Sequence, residues 1–236
     1  MENRSSIAVI PARGGSKRLP GKNLMNMAGK PLLAWTIEAA LQSGVFDRVF
    51  VNTDHHEIAE TALRLGAEVP FLRPTHLATD QSSTVDVLID HVEQLSKDGP
   101  QYTFLACLQP TSPLRNAEDI RRADQLLREK QANAVISVCR TEHSPLWSNT
   151  LPDNLSLEGF IPASIQKTPS QQLPVHYRLN GAIYFCRIEE MILEKTLFLP
   201  SSVYAYVMSR KNSIDIDDQV DFDLASLYLS SPAPQG

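Results

Sequence analysis

The chain of 236 residues carries 22 Lys and Arg against 27 Asp and Glu, a formal net charge of −5 with histidine neutral. With 42% apolar and 21% charged residues it can bury a full core, which excludes a disordered chain, a collagen-like repeat and a coiled coil. The acidic balance argues against a nucleic-acid partner, and no apolar run reaches the roughly 18 residues that would span a membrane. The segment before Ile7 also lacks the apolar core of a signal peptide, so we expect a cytoplasmic protein.

Short apolar runs alternate with stretches of helical periodicity over the first 140 residues. In chain order, the predicted elements are a strand over 7–11, a helix over 29–44, a strand over 48–53, a helix from Asp54 to Gly66, a helix containing 85–92, a strand over 102–108, a helix containing 120–127 and a strand over 134–139. Gly44 is the predicted C-cap of its helix, and Asp54, with Glu57 three residues later, predicts an N-terminal cap. Strands alternating with helices of this length predict parallel βαβ units, hence an α/β fold with a sheet covered on both faces.

The alternation stops over residues 141–176. This stretch has scattered polar residues, no sustained helical period and five prolines: Pro145, Pro152, Pro162, Pro169 and Pro174. We expect an inserted, irregular or β-rich lobe that is stabilised by packing on a partner subunit. The pattern resumes with strands over 181–186 and 203–208 and a helix over 218–229, so 1–140 and 177–236 form the predicted main domain.

A glycine-rich basic loop, residues 11–23, follows the first strand, where α/β sheets bind ligands. Its glycines let backbone N–H groups face an anion, and four cations fall within ten residues: Arg13, Lys17, Arg18 and Lys22. The loop suits a triphosphate; a solvated basic turn is the alternative. It is neither GxGxxG nor a Walker loop, since Asn23 follows the last lysine, which removes the main support for ATPase, GTPase and dinucleotide-binding functions.

An alternating acidic segment, residues 213–218, lies near the C-terminus. In an extended chain, Asp215 and Asp217 share one face while Ile214 and Ile216 anchor the other. Two hard oxygen ligands on one edge suit Mg²⁺, which completes its shell with water and substrate phosphates. The alternative is an ordinary helix N-terminus, where acidic residues are favoured by the dipole.

Neutral hydrogen-bonding groups follow the strand over 102–108. Two prolines hold Gln109 and Thr111 in a rigid loop, and neutral donors and acceptors suit a sugar. A plain connector to a helix capped by Asn116 is the alternative. Arg178, placed before the next predicted strand, offers a cation that could receive a carboxylate.

Six segments together resemble the acylneuraminate cytidylyltransferases, which make CMP-sialic acids. They are IPARGGSKRLPGKN at 10–23, FDRVFVNTD at 46–54, FLRPTHLATD at 71–80, LQPTSPLR at 108–115, RLNGAIY at 178–184 and SIDID at 213–217. The resemblance implies a Rossmann-like, mostly parallel sheet of nucleotidyltransferase type and an enzyme of class EC 2.7.7. That enzyme would use Mg²⁺ to transfer CMP from CTP to a nonulosonic acid, a nine-carbon 2-keto sugar acid, with release of pyrophosphate. It also implies a homodimer with lobe 141–176 at its interface.

The resemblance assigns roles to individual residues. It implies nucleotide binding by Arg13, Ser16, Lys17, Lys22, Asn23, Arg73, Ser82 and Thr84, with the phosphates on Arg13 and Lys17, the ribose on Asn23 and the cytosine beside the last three. It implies a sugar site lined by Gln109, Thr111, Arg178, Asn180 and Tyr184, and Mg²⁺ on Asp215 and Asp217. The catalytic residues would be Arg13, Lys17 and Asp217, the last orienting or deprotonating the attacking hydroxyl. The alternatives are a 3-deoxy-octulosonate cytidylyltransferase and a non-catalytic CMP-sugar-binding protein.

Two positions depart from the family pattern. Trp147 and Ser170 stand where well-known sialic acid enzymes have basic residues that reach the partner's sugar site. Trp147 could pack on the methyl and acetamido groups of a 5,7-diamino nonulosonate of the legionaminic or pseudaminic type. Lys167 or Arg140 could instead replace a missing cation.

Overall fold

The computed structural model describes residues 5–97 and 99–230. Its strands are β1 (Ser6–Pro11), β2 (Asn26–Met27), β3 (Lys30–Pro31), β4 (Arg48–Asn52), β5 (Phe104–Cys107), β6 (Ala134–Arg140), β7 (Tyr177–Arg187) and β8 (Val203–Met208). Its α-helices are α1 (Leu32–Ser43), α2 (His56–Arg64), α3 (Thr84–Ser96), α4 (Ala117–Glu129), α5 (Ile188–Glu194) and α6 (Gln219–Ser230). The expected α/β fold is confirmed.

A six-stranded sheet in the order β4-β1-β5-β7-β6-β8 forms the centre of the fold. Strand β7 runs antiparallel to both of its neighbours, while the other pairs are parallel. The sheet is therefore mostly parallel, as expected, and β7 is its antiparallel strand. Because β7 runs the other way, its amino end lies at the edge where the remaining strands have their carboxyl ends.

Apolar side chains of β1 alternate between the two faces of the sheet. Ala8 and Ile10 pack with the apolar sides of α1, α2 and α4, whereas Ile7 and Val9 pack with those of α3 and α5. This period of two places a helical layer on each side, as predicted. The two layers bury the strands and leave the sheet edges for the loops.

Two predicted helix caps are present, and helix α1 begins later than predicted. Gly44 ends α1 in the left-handed conformation, with φ 65°, and the Asn116 side chain forms a capping box with Asp119 at the start of α4. Helix α1, however, begins at Leu32 and not at Gly29, because Ala28 and Gly29 have positive φ and form the turn of the β2–β3 hairpin.

Residues 141–176 leave the sheet after β6 and return as β7. They contain two single-turn 3₁₀ helices, Pro145–Trp147 and Ser170–Gln172, and are otherwise irregular. The stretch closes where the Thr141 N–H donates to the His176 carbonyl at 2.9 Å. Several of its large apolar side chains are exposed: Leu151, Leu155, Leu157 and Val175. No described helix is both long enough and apolar enough to cross a bilayer.

Candidate active site

A cavity of about 700 Å³ lies at the carboxyl edge of the sheet. Four loops line it: the basic loop after β1, the segment before α3, the loop after β5 and the acidic segment before α6. Most of the predicted site residues are among its lining, namely Arg13, Ser16, Lys17, Lys22, Asn23, Arg73, Ser82, Thr84, Gln109, Thr111, Asp215 and Asp217. Groups from the two ends of the chain therefore share one cavity.

The basic loop is held against the end of β4 through Gly14. The Gly14 N–H donates to Asp54 Oδ1 at 2.9 Å, and a Cβ on this glycine would lie 2.9 Å from Cδ2 of His55. The predicted capping role of Asp54 is wrong. The Asp54 carboxylate binds the loop instead, and the N-cap of α2 is His55, whose side chain makes no capping hydrogen bond within the described structure.

The cations of the basic loop meet a carboxylate. Asp80 pairs with Arg13 at 2.9 Å and with Lys17 at 2.5 Å, and Arg13 also donates to the Thr79 carbonyl at 3.2 Å. The hydrogen bond and charge of Lys17, followed by those of Arg13, lower the pKa of Asp80. Sequence reasoning gives Asp80 no role, although it ends the segment 71–80 that carries part of the resemblance.

Asn23 is buried beneath the basic loop. Its Nδ2 donates to the Arg13 carbonyl at 3.0 Å, which fixes the side chain. Its Oδ1 is buried and accepts no hydrogen bond within the part of the chain that the structure describes. Asn23 also lines the cavity, and its unpaired acceptor makes the residue a candidate for ligand binding.

Arg73 presents a buried guanidinium to the same cavity. Its Nε donates to Oδ1 of Asn52 at 2.5 Å, and its Nη2 donates to the backbone carbonyl of Asn52 at 2.9 Å. Burial lowers the pKa of Arg73. Nearby, Ser82 Oγ donates to the His76 carbonyl at 3.1 Å, and Thr84 is the first residue of α3.

Lys22 and the acidic segment are joined directly. Lys22 Nζ donates to the Ile216 carbonyl at 2.7 Å, and the Ile216 N–H donates to the Thr111 carbonyl at 2.8 Å. Ile216 is fully buried and packs with residues of α6, while Asp215 and Asp217 line the cavity. The predicted alternation of the segment is thus present.

Burial sets the electrostatics of these charged groups. It raises the pKa of Asp215, against the Thr111 hydrogen bond and the charge of Lys22, while the charge of Asp217 adds to the rise. Burial also lowers the pKa of Lys22, although both carboxylates oppose that change. Asp217 forms an ion pair with Arg18 at 2.8 Å. An additional cation in the site would therefore stabilise the charged form of Asp215.

The backbone of β7 approaches the cavity at Gly181. Ile136 of β6 pairs with Tyr184 and the next paired residue, Val138, with Leu179, so residues 180–183 bulge from the strand. Gly181 has φ +73°, and a Cβ there would lie 2.8 Å from Gln109 Oε1 and 3.4 Å from Asp215 Oδ2. Glycine at this position is what lets these two side chains pack against the strand.

The other predicted sugar-site residues belong to β7 and lie outside the cavity lining. Arg178 and Asn180 are within β7 and not before it, which corrects the expected boundary. Arg178 is exposed and donates to the Ser213 carbonyl at 3.4 Å. Asn180 is buried, accepts from Ser137 at 2.6 Å and donates to Ser213 Oγ at 2.9 Å.

Tyr184 and the two positions that differ from the family pattern, Trp147 and Ser170, also lie outside the cavity lining. The ring of Tyr184 is half-buried and meets Phe198 edge-on at 6.1 Å. Trp147 and Ser170 lie in the two 3₁₀ helices of the segment 141–176. They do not line the cavity of their own chain, and neither do Arg140 and Lys167.

The acidic pair fits a divalent ion by its chemistry. Asp215 and Asp217 supply hard oxygen donors at one side of the cavity. Among the described residues, no group of three or more His, Cys, Asp or Glu side chains is arranged to hold a metal. A pair of carboxylates is the protein contribution typical of Mg²⁺ that is shared with substrate phosphates, so these residues fit that ion.

The family model described as "Cytidylyltransferase" matches residues 7–217. The chain belongs to the cytidylyltransferase family. The match runs from the first strand, ahead of the basic loop, to Asp217 of the acidic pair, so it contains every residue that lines the cavity. It makes the protein a nucleotidyltransferase, as the resemblance implied.

Three relatives of this cytidylyltransferase align along nearly its whole length. It is 37% identical to the CMP-N,N'-diacetyllegionaminic acid synthase of Legionella pneumophila over 226 residues, which cover 94% of this chain and 95% of that protein. It is 34% identical to the pseudaminic acid cytidylyltransferase of Campylobacter jejuni, covering 94% and 95%. It is 39% identical to the N-acylneuraminate cytidylyltransferase of Escherichia coli O18:K1:H7, covering 93% of this chain and 51% of that protein.

Two solved structures have the fold of this cytidylyltransferase. One is a CMP:2-keto-3-deoxy-manno-octonic acid synthetase complexed with CTP, with TM-score 0.71, 18% identity and coverage of 96% of this chain and 98% of that one. The other is a 4-diphosphocytidyl-2C-methyl-D-erythritol synthase from Anaerococcus prevotii, with TM-score 0.65, 16% identity and coverage of 97% and 99%. At these identities, the likeness concerns the fold alone.

Proposed function

We propose that this cytidylyltransferase transfers CMP from CTP to the anomeric hydroxyl of a nonulosonic acid, an N-acylneuraminate or a related sugar such as legionaminate, and releases pyrophosphate. The observation that carries the proposal is the hydrogen bond from Lys22 to Ile216, since it joins the basic loop and the acidic pair at one cavity. The matches to legionaminic, pseudaminic and neuraminic acid enzymes support the sugar class. The site of action is the cytoplasm, where CTP is available.

The cations of the cavity bind the triphosphate. Arg13 and Lys17 hold its phosphates, with Ser16 and Lys22 beside them, and exchange their present carboxylate partner Asp80 for phosphate oxygens. Cations fixed near the phosphates stabilise the charge that develops on the leaving pyrophosphate. Catalysis by this site is therefore mostly positioning and electrostatic stabilisation.

The nucleoside and the sugar are bound on either side of the phosphates. Asn23, whose buried Oδ1 has no hydrogen-bond partner among the described residues, accepts a hydrogen bond from the ribose, and the cytosine lies beside Arg73, Ser82 and Thr84. The sugar acid is bound by Gln109, Thr111, Arg178, Asn180 and Tyr184. The last three belong to β7, whose residues 180–183 bulge next to Gln109.

The reaction itself is one substitution at phosphorus. The anomeric hydroxyl oxygen of the sugar bonds to the α-phosphorus, the bond to the bridging oxygen breaks, and pyrophosphate leaves with that electron pair. Asp217 orients the hydroxyl and receives its proton. Enzymes of this kind generally use a divalent metal, and Mg²⁺ held by Asp215 and Asp217 would neutralise charge on the phosphates.

The enzyme acts as a homodimer in which the segment 141–176 lies at the interface and completes the partner's sugar site. The exposed leucines of that segment support this, Leu155 being 71% and Leu157 65% accessible in the single chain. A Leu155→Glu, Leu157→Glu double variant should sediment as a monomer, whereas Leu193→Glu, at a site 72% exposed on α5, should remain a dimer. Unchanged sedimentation of the double variant would contradict the interface.

A pyrophosphate-release assay tests the function. CTP and Mg²⁺ are supplied with N-acetylneuraminate, N,N'-diacetyllegionaminate, pseudaminate or 3-deoxy-octulosonate in separate reactions. Turnover with a nine-carbon acid, and CMP-sugar formed in equal amount with pyrophosphate, supports the proposal. Turnover with the eight-carbon acid alone assigns the alternative enzyme, and binding of CTP without turnover assigns a non-catalytic protein.

A further inference from the structure

The carboxamide of Asn52 is held from both ends. Its Oδ1 accepts from Arg73 Nε at 2.5 Å, and its Nδ2 lies 3.1 Å from Nδ1 of His91. All three side chains are buried, and Asn52 and His91 are completely inaccessible. His91 belongs to α3 and has no role in the reaction described above.

The orientation of this carboxamide matters because its two ends differ in hydrogen bonding. If it rotated by half a turn, its NH₂ group would face the guanidinium of Arg73, and two donors would meet. An acceptor at the other end of the carboxamide prevents that rotation. Nδ1 of His91 is such an acceptor when the proton is on Nε2.

The Nε2–H of this tautomer is itself unsatisfied. Nε2 of His91 is buried and has no hydrogen-bond partner in the described part of the chain. The rings of Phe50 and Phe71 pack on the imidazole, with centroids 5.3 and 4.9 Å away. A leucine would fill such an apolar space without leaving a donor unpaired, so packing does not account for a histidine here. Burial, and secondarily the charge of Arg73, lowers the pKa of His91 to about 4, so its ring is neutral at physiological pH.

We propose that His91 is a positioning residue for nucleotide binding: it fixes the Asn52 carboxamide with Oδ1 toward Arg73 and so holds the guanidinium in the cavity. The proposal rests on the proposed function, in which Arg73 lies beside the cytosine. It extends that function by assigning recognition of the base to a hydrogen-bonded relay, His91–Asn52–Arg73, of which only Arg73 contacts the substrate.

Two variants at position 91 separate positioning from packing. His91→Asn keeps an acceptor near the place of Nδ1 but leaves a void, whereas His91→Leu fills the space and removes the acceptor. Positioning predicts that His91→Leu raises KM for CTP by about tenfold or more with little change in kcat, and lowers the preference for CTP over UTP. It predicts that His91→Asn restores both, although this variant melts at a lower temperature. A purely structural role predicts the reverse order, and that order would overturn the proposal.

Arg73→Leu distinguishes a failure of this proposal from a failure of the nucleotide assignment. If Arg73→Leu raises KM for CTP and His91→Leu does not, the positioning role is lost while the base site remains. If Arg73→Leu itself leaves KM and CTP preference unchanged, the base assignment and the relay both fall. Nitrogen NMR of the imidazole gives a readout independent of activity: we expect a protonated Nε2 and an unprotonated Nδ1 at pH 7, and the opposite tautomer would refute the relay.

Discussion

Lys22 Nζ and the carbonyl oxygen of Ile216 are 2.7 Å apart, although 194 residues separate them along the chain. The contact ties the basic loop to the segment that carries Asp215 and Asp217, and both carboxylates act on the Lys22 ammonium. The Lys22 ammonium thus has two roles. It faces the space assigned to the phosphates, and it limits the electrostatic repulsion between Asp215 and Asp217.

Removal of this charge should reduce activity strongly. Lys22→Met keeps much of the side-chain length, and we expect kcat/KM for CTP to fall by about 10²–10³, the range typical for loss of a preorganised electrostatic contact. Lys30→Met is the matched control, because Lys30 pairs with Glu38 and lies over Trp35 and does not line the cavity. Steady-state pyrophosphate release measures both. Activity of Lys22→Met within threefold of wild type would contradict the role.

The acidic pair should affect turnover more than nucleotide binding. Asp217→Ala is expected to lower kcat by several orders of magnitude, about 10³, while CTP binding is partly retained, because the proton acceptor is lost and the cations of the basic loop remain. Asp223→Ala, at an exposed carboxylate of α6, should behave like wild type. Calorimetric titration with CTP and single-turnover kinetics separate the two effects. Near wild-type turnover would remove Asp217 from the mechanism.

Gly181 should be intolerant of a methyl group for two reasons that a control can separate. Gly181→Ala combines a positive φ, which costs about 1 kcal/mol, with a Cβ 2.8 Å from Gln109 Oε1. Gly44 has a similar φ, +65°, and a Cβ added there would have no atom of the described residues within 4 Å beyond its chain neighbours and its own helix backbone. We expect both variants to lose similar stability, measured by thermal shift, and only Gly181→Ala to raise KM for the sugar. If the two variants have the same KM for the sugar, the contact between residue 181 and Gln109 does not affect sugar binding.

His91 should make stability depend on pH. Its pKa falls from 6.5 in the unfolded chain to about 4 in the fold, so between these values the unfolded state binds more protons. The stability that His91 contributes is complete above pH 6.5 and decreases as pH falls toward 4, by about 2 kcal/mol between pH 7 and pH 5. Urea unfolding of wild type and His91→Leu at both pH values checks this. The same pH dependence in the two proteins would show that another group is responsible.

Trp147 should bias the choice of sugar. If its ring packs on the apolar substituents of a 5,7-diamino nonulosonate, Trp147→Lys removes that contact and restores a cation that the resemblance predicts for sialic acid enzymes. We expect the ratio of kcat/KM values to shift toward N-acetylneuraminate by about tenfold, the effect of roughly 1.4 kcal/mol. Ser148→Lys adds the same charge at the neighbouring exposed residue and should leave the ratio unchanged. Competition between the two sugars gives the ratio directly.

Features that depend on neighbouring residues could be predicted from the sequence. The caps at Gly44 and Asn116 act within their own helices, so the local pattern contains all of their chemistry. Asp54 has an equally good capping pattern, yet its carboxylate binds Gly14, 40 residues earlier. The apolar run at 181–186 likewise predicts a strand but not its direction. It also misses the pairing of residues 177–179 with β6, which precedes the bulge at 180–183, so Arg178 lies inside β7 and not before it.

The residues of the site also differ in whether local sequence is enough to predict their roles. The basic loop and the alternating aspartates are recognisable because their charge and spacing carry the signal by themselves. The partnership of Asp80 with Arg13 and Lys17 depends on how the segment before α3 folds over the loop. The contribution of His91 is hidden for another reason: within the pattern of α3, a buried histidine reads as one more core residue, and only the atoms around Asn52 reveal its use.

The hydrogen bond between Thr141 and His176 follows directly on the pairing of Arg140 with Tyr177. The polypeptide therefore departs from the sheet and rejoins it at facing backbone positions, and both ends are secured before the intervening stretch begins. We therefore expect insertions and deletions within that stretch to leave the register of the strands intact. If this segment completes the partner's sugar site as proposed, its exchange between relatives should change the acceptor sugar and leave the nucleotide pocket unaltered.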